Sequence, residues 1–123
     1  MGIIPPNVHR LLDIVAVVGF ALAPTLFHLH GNTVILAYAL AAIHLAMTLA
    51  THFPGSAPRP IPYHVHGLVE LVVGLVLIAI PFVRHWTFGA RQFYPAIGIV
   101  IVVIWALTRY RDVAVPGTAA PVA

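Results

Sequence analysis

The feature that most limits what this chain can become is a set of four long apolar runs with almost no charge inside them. They lie at about Leu11–Phe27, Thr33–Phe53, Gly67–Val83 and Phe93–Thr108. A membrane-spanning helix needs about 20 apolar residues, within a range of about 17–25. The first, third and fourth runs are near the lower limit, so flanking residues are expected to extend each helix. Of the 123 residues, 61% are hydrophobic and only 7% charged. Soluble domains carry about 25% charged residues, so these nine side chains cannot clothe a water-soluble globule. Disordered chains are polar and highly charged, which excludes that class as well. The strict alternation of a transmembrane barrel is absent, and helices satisfy their own backbone groups in lipid. The expected fold class is all-α, one integral membrane domain over residues 1–123 with four transmembrane helices.

The connections organise these helices into pairs. Gly31-Asn32, within His28–Asn32, is a tight-turn signal, so the first two helices form a hairpin. Arg84–Gln92 is the equivalent link between the third and fourth. Between the hairpins lies a Pro-rich crossover, residues 54–62, with four prolines in Pro54–Pro62. That composition predicts an extended, polyproline-like segment. The tail, 112–123, is small and contains Pro and Gly, and is expected to be loose. A cleaved leader is not expected, because Asp13 interrupts its would-be apolar region. Arg10, Arg59, Arg109 and Arg111 fall on the side of the termini and crossover, Arg84 and Arg91 on the other. By the positive-inside bias both termini are expected in the cytoplasm, in a bacterial inner (cytoplasmic) membrane. The net charge of +3 comes from arginines near segment ends, which suits lipid headgroups and argues against nucleic acid.

The two hairpins read as copies of one unit. Shifting His9–Phe27 by 57 residues sets it on His66–Arg84, with His9 on His66, Leu11 on Leu68, Asp13 on Glu70, Val15 on Val72 and Pro24 on Pro81. Apolar matches between membrane helices are cheap, but a shared His-x-x-x-acid start and a shared Pro are not. The copies span about 8–53 and 63–111. Each contains two spans, so both enter from the same side, as a parallel repeat about a pseudo-twofold axis along the membrane normal. A polar start, a Gly-containing apolar helix, a Pro-centred end and a second helix after a short loop together resemble the SPW-repeat membrane proteins, over about Val8 to Arg109. The Ser-Pro-Trp tripeptide of that family stands here as Ala23-Pro24-Thr25 and Ile80-Pro81-Phe82. The resemblance implies a small membrane protein of one or two helical hairpins and implies little about activity.

Cysteine is absent, so thiol and thiolate chemistry is excluded, and histidine, with eight copies, is the versatile side chain available. Three groups stand out. His9/Asp13 and His66/Glu70 each sit four residues apart, on one helix face. Brought together by the repeat axis, they make a plausible site for a divalent transition metal. Equally, each acid lies near a helix N-terminus, where the dipole favours it, and can pair with its own His or with Arg10, Arg109 or Arg111. His44 lies mid-helix on a stripe with Ala37, Ala41, Thr48 and Thr51. A small, polar stripe of this kind is a helix-contact surface in lipid. His44 is either a neutral, hydrogen-bonded contact residue or a ligand, for example to haem b paired across a symmetric dimer. Its repeat counterpart is Ile101 or Ile104, depending on how the loops align. Third, His28-x-His30 with His85 on one side, and His64-x-His66 with His52 and His9 on the other, are weaker copper or zinc patterns. Tyr38, Trp86, Tyr94, Trp105 and Tyr110 read mostly as interfacial aromatic residues.

No phosphate loop, nucleophile triad or dinucleotide fingerprint is present. Size and contact stripes therefore point first to a non-enzymatic accessory or structural subunit. It would sit among membrane lipids in a homo-oligomer or a larger energy-converting membrane complex. The alternatives are a haem b- or metal-binding membrane protein using its intramembrane histidines, and a small oligomeric channel or transporter lined by Asp13 and Glu70.

Overall fold

A computed structural model describes residues 2–110; the expected loose tail, 112–123, and Arg111 lie outside the described residues. Four helices dominate: α1, Pro6–Leu26; α2, Asn32–Ala50; α3, Tyr63–Ala79; and α4, Phe88–Leu107. All are long and apolar enough to cross a membrane when α3 is taken with the 3-10 turn Ile80–Phe82 that continues it. Flanking residues do extend the short runs. At about 1.5 Å per residue, 20 residues span about 30 Å, the thickness of the hydrocarbon core. Leu11, Leu22, Ile35, Leu68 and Val72 are among many large apolar side chains left exposed. Such a surface is untenable in water and ordinary in lipid.

α1 packs against α2 and α3 against α4. In the second hairpin the backbones meet at Gly74 and Gly98. A Cβ on Gly98 would stand 2.7 Å from the Gly74 carbonyl oxygen, so only glycine permits this approach. The non-polar core lies toward the end of the bundle opposite the termini. There Phe20 and Phe93 meet edge to face with ring centroids 5.8 Å apart. Tyr94 is fully buried rather than interfacial; its hydroxyl donates to the Thr33 carbonyl and ties α4 to α2. Burial of the ring plus a satisfied hydroxyl makes this a core position.

The 57-residue shift also matches several element boundaries. It carries Pro6 at the start of α1 onto Tyr63 at the start of α3, and Ala50 at the end of α2 onto Leu107 at the end of α4. It also carries a backbone pairing onto its equivalent. Strands β1 (Thr51–His52) and β2 (Ile61–Pro62) pair in parallel, Thr51 opposite Ile61. Near the chain start, Ile4 pairs in parallel with Thr108, the same relation with the copies exchanged. Each hairpin is thus closed by the segment that leads into a first helix.

The crossover is a closed loop rather than a straight polyproline spacer. Gly55 takes a positive φ of 85°, and the Ser56 N–H and hydroxyl both return to the Phe53 carbonyl, reversing the chain. The paired strands then hold the loop's two ends together, so its prolines lengthen the loop without separating the hairpins.

Candidate metal centre

Both first helices begin after a proline, whose fixed φ suits the position. In each, the fourth helical residue is the His and the eighth the acid: His9 and Asp13 from Pro6, His66 and Glu70 from Tyr63. One turn apart on one face, they point the same way. The packing of α1 and α3 brings the two faces together, about 10 Å inside the helix ends by helical rise.

All four side chains are buried. His9 Nε2 lies 3.2 Å from Asp13 Oδ1 and 2.9 Å from Glu70 Oε2. His66 Nε2 lies 3.1 Å from Asp13 Oδ2 and 3.3 Å from Glu70 Oε1. Each His therefore bridges both acids, its own and that of the other copy. One ligand atom from each of the four residues fits within a mutual distance of 4.8 Å. His44 of α2 joins them, with Nε2 3.5 Å from both Asp13 Oδ1 and Glu70 Oε1. The stripe Ala37, Ala41, His44, Thr48 and Thr51 is buried along its length, although Thr51 lies just beyond the helix, in β1.

The outer nitrogens reveal the proton arrangement. His66 Nδ1 is 2.7 Å from Thr51 Oγ1, and that hydroxyl donates its own hydrogen to the Met47 carbonyl at 2.6 Å. His9 Nδ1 is 2.7 Å from Thr108 Oγ1, which donates to the Ile104 carbonyl. Each Thr oxygen has spent its hydrogen and can only accept, so each Nδ1 carries a proton and donates it. In a neutral ring this leaves the Nε2 lone pair facing the carboxylates. Lone pair against carboxylate at about 3 Å is repulsive, so either a second proton on the ring or a metal cation must lie between. Among the described residues, the buried Nε2 atoms of His9, His44 and His66 have no hydrogen-bond partner of good geometry, despite lying within 3.5 Å of carboxylate oxygens. Each lies close to an oxygen of both carboxylates rather than to one carboxylate alone.

The spacing suits an ion. Ligands about 2.1 Å from a metal and at right angles stand about 3.0 Å apart, and the observed contacts run from 2.9 to 3.5 Å. Three imidazoles and two carboxylates favour a first-row transition metal over calcium or magnesium, which prefer all-oxygen sets. Two carboxylates and one divalent cation also sum to zero, the charge a buried site tolerates best.

Peripheral groups complete the shell. The Thr48 hydroxyl donates to Asp13 Oδ2 at 3.5 Å and the Tyr110 hydroxyl to Glu70 Oε2 at 3.4 Å. Tyr110 lies beyond α4, and burial first, then the nearby Glu70 charge, holds its phenol above the ordinary tyrosine range. It therefore stays protonated as a donor. Arg10 lies over the Phe53 ring, 5.8 Å from its centroid.

Other candidates fall elsewhere. His28 and His30 line one cavity at the opposite end and His85 another, so the three do not form one site. His52 Nδ1 bonds the Ala57 carbonyl, and His64 is exposed. The haem expectation for His44 meets an obstacle: its Nε2 is turned inward to two carboxylates, where a macrocycle would share their space. Thr108 and Tyr110 were not legible as site residues from spacing alone, although Thr108 is the 57-residue equivalent of Thr51.

The Thr anchors give a direct test. Thr51→Val keeps the shape but leaves the His66 Nδ1–H without an acceptor. Loss of such an outer partner weakens metal affinity by about 10- to 100-fold, and Thr108→Val should cost the same. Titration with a competing chelator measures both. Unchanged affinity in both variants would show that these hydroxyls do not orient the rings.

Compared with known protein families, with curated proteins and with solved structures, the chain matches none.

Proposed function

We propose that this protein binds one divalent transition-metal ion inside the membrane, near the face that carries its N-terminus and crossover. His9, His44 and His66 would supply Nε2 atoms, and Asp13 and Glu70 carboxylate oxygens. The observation that carries this reading is the set of three buried, partnerless Nε2 atoms converging on two buried carboxylates. Iron, zinc, cobalt, nickel and copper all suit such a donor set. With the arginine distribution, the site belongs on the cytoplasmic side of a bacterial inner membrane.

The accessory-subunit expectation rests on the absence of catalytic motifs, on small size and on contact stripes; the five donors bear on the first of these grounds and leave the other two. Membership of a homo-oligomer or a larger membrane complex is compatible with a metal centre and is secondary to it. Nothing specific favours a channel, since Asp13 and Glu70 are closed within one chain at 3% and 4% exposure.

Elemental analysis of protein purified in mild detergent tests the proposal, followed by loading with cobalt(II), whose visible bands report ligand type and number. The expected result is one ion per chain, and loss of the cobalt bands in the His9→Ala, His66→Ala double variant. A folded wild-type protein that takes up none of iron, zinc, cobalt, nickel and copper would refute it.

A further inference from the structure

The proposed ligands obey the 57-residue relation with one exception. His9 pairs with His66, Asp13 with Glu70, and the anchors Thr51 with Thr108. The matching helix ends, and the matching of Thr51 with Thr108, leave no gap in the alignment, so His44 corresponds to Ile101. Three pairs of positions about a twofold axis fill an octahedron. Here the third pair is His44 and an aliphatic side chain that cannot ligate. Five protein donors leave one position open, on the Ile101 side.

That side is not packed shut. A cavity of about 40 Å³ lies between α2 and α3, and His44, Glu70 and Ile101 all line it. Its remaining walls are Leu40, Ile43, Met47, Val69 and Val73. Ile43 and Val69 are 62% and 39% exposed on the lateral surface of the bundle, so the cavity faces the bilayer rather than water. A volume of this size holds one or two water-sized bodies. The walls offer no donor or charge apart from the two ligands themselves.

On the metal-binding reading above, we infer that the ion keeps an open sixth position beside Ile101, and that it takes there a small uncharged diatomic molecule arriving through the lipid. Nitric oxide and dioxygen belong to this class. Both dissolve in hydrocarbon, fit the cavity and need no hydrogen-bond partner to enter it. A charged ligand would have to cross the apolar walls. A separate, more polar cavity is lined by Arg10, Arg59, Thr48, Thr51 and Ser56, and a water-borne anion would meet its positive charge there.

The probe is nitric oxide added anaerobically to protein loaded with iron(II), with iron content measured on the same sample. Wild type should give the high-spin iron–nitrosyl EPR signal, and prior addition of azide should not diminish it. Ile101→His supplies the missing sixth ligand and should retain iron while weakening nitric oxide binding by more than about tenfold, or about 1.4 kcal/mol. If Ile101→His does not retain iron, Ile101→Phe plugs the position without adding a ligand and should give the same loss. Iron-loaded wild type that binds no nitric oxide, an iron–nitrosyl signal that azide suppresses, or an iron-loaded Ile101→His that binds nitric oxide as well as wild type overturns the inference while leaving the metal site intact. Failure to load any metal overturns the parent reading, and this one with it.

Discussion

Adding zinc or cobalt to the metal-free protein should raise its denaturation midpoint strongly, and the Asp13→Asn, Glu70→Gln double variant should show no rise. An ion that binds only the folded chain stabilises it by about 4 kcal/mol when present at about 1,000 times its dissociation constant. The double variant keeps the shape of the cluster and removes both charges that attract a cation. Without metal its stability should match or exceed that of wild type, because two desolvated carboxylates are no longer held against imidazole lone pairs. The alternative is a cluster held by protonated histidines with no metal. In that case the double variant would be destabilised in chelator and metal would not move wild type. Thermal or chemical denaturation in detergent, with and without chelator, separates the two by sign.

The second large effect concerns single histidines. His66→Ala removes a ring that bridges both acids and orphans the Thr51 anchor. In the metal-loaded protein, breaking such a buried charged network by removing one partner costs about 3–5 kcal/mol. His9→Ala should cost a similar amount, since its contacts to Asp13, Glu70 and Thr108 repeat those of His66. His44→Ala should cost less, about 1–3 kcal/mol. Its Nε2 contacts are longer, at 3.5 Å, and it carries no equivalent threonine anchor. Equilibrium unfolding of the three variants in one detergent checks the ranking. A larger cost at His44 than at His9 and His66 would mean that the axis-related pairs are not the frame of the site.

Much of the molecule is legible in its residues. Apolar run length locates the four spans, since only a helix of about 20 residues crosses the hydrocarbon without unpaired backbone groups. The His-x-x-x-acid spacing puts His9 with Asp13, and His66 with Glu70, on shared faces, because 3.6 residues per turn fixes angles about each helix axis. The 57-residue shift further implies that these faces are equivalent. Less accessible was the role of His44. Helical periodicity shows that it faces protein, yet it sits on a helix whose repeat partner has Ile101, and nothing local ties it to either acid.

What the sequence alone determined was the set of helices, their pairing as hairpins, and which side chains share a face. Those properties depend on local geometry and on transfer of apolar surface out of water. The tertiary structure decided the rest. It exchanged contacts between the copies, so that His9 bonds Thr108 and His66 bonds Thr51, and it brought His44 to both carboxylates. It also left a cavity beside Ile101. These distances join residues up to 99 positions apart. They are set by how far apart four packed helices sit and how they are rotated against one another, and one helix's periodicity does not encode the position of its neighbours. The sparse charge within the four apolar runs thus turned out to be concentrated, two carboxylates and three imidazoles around one point.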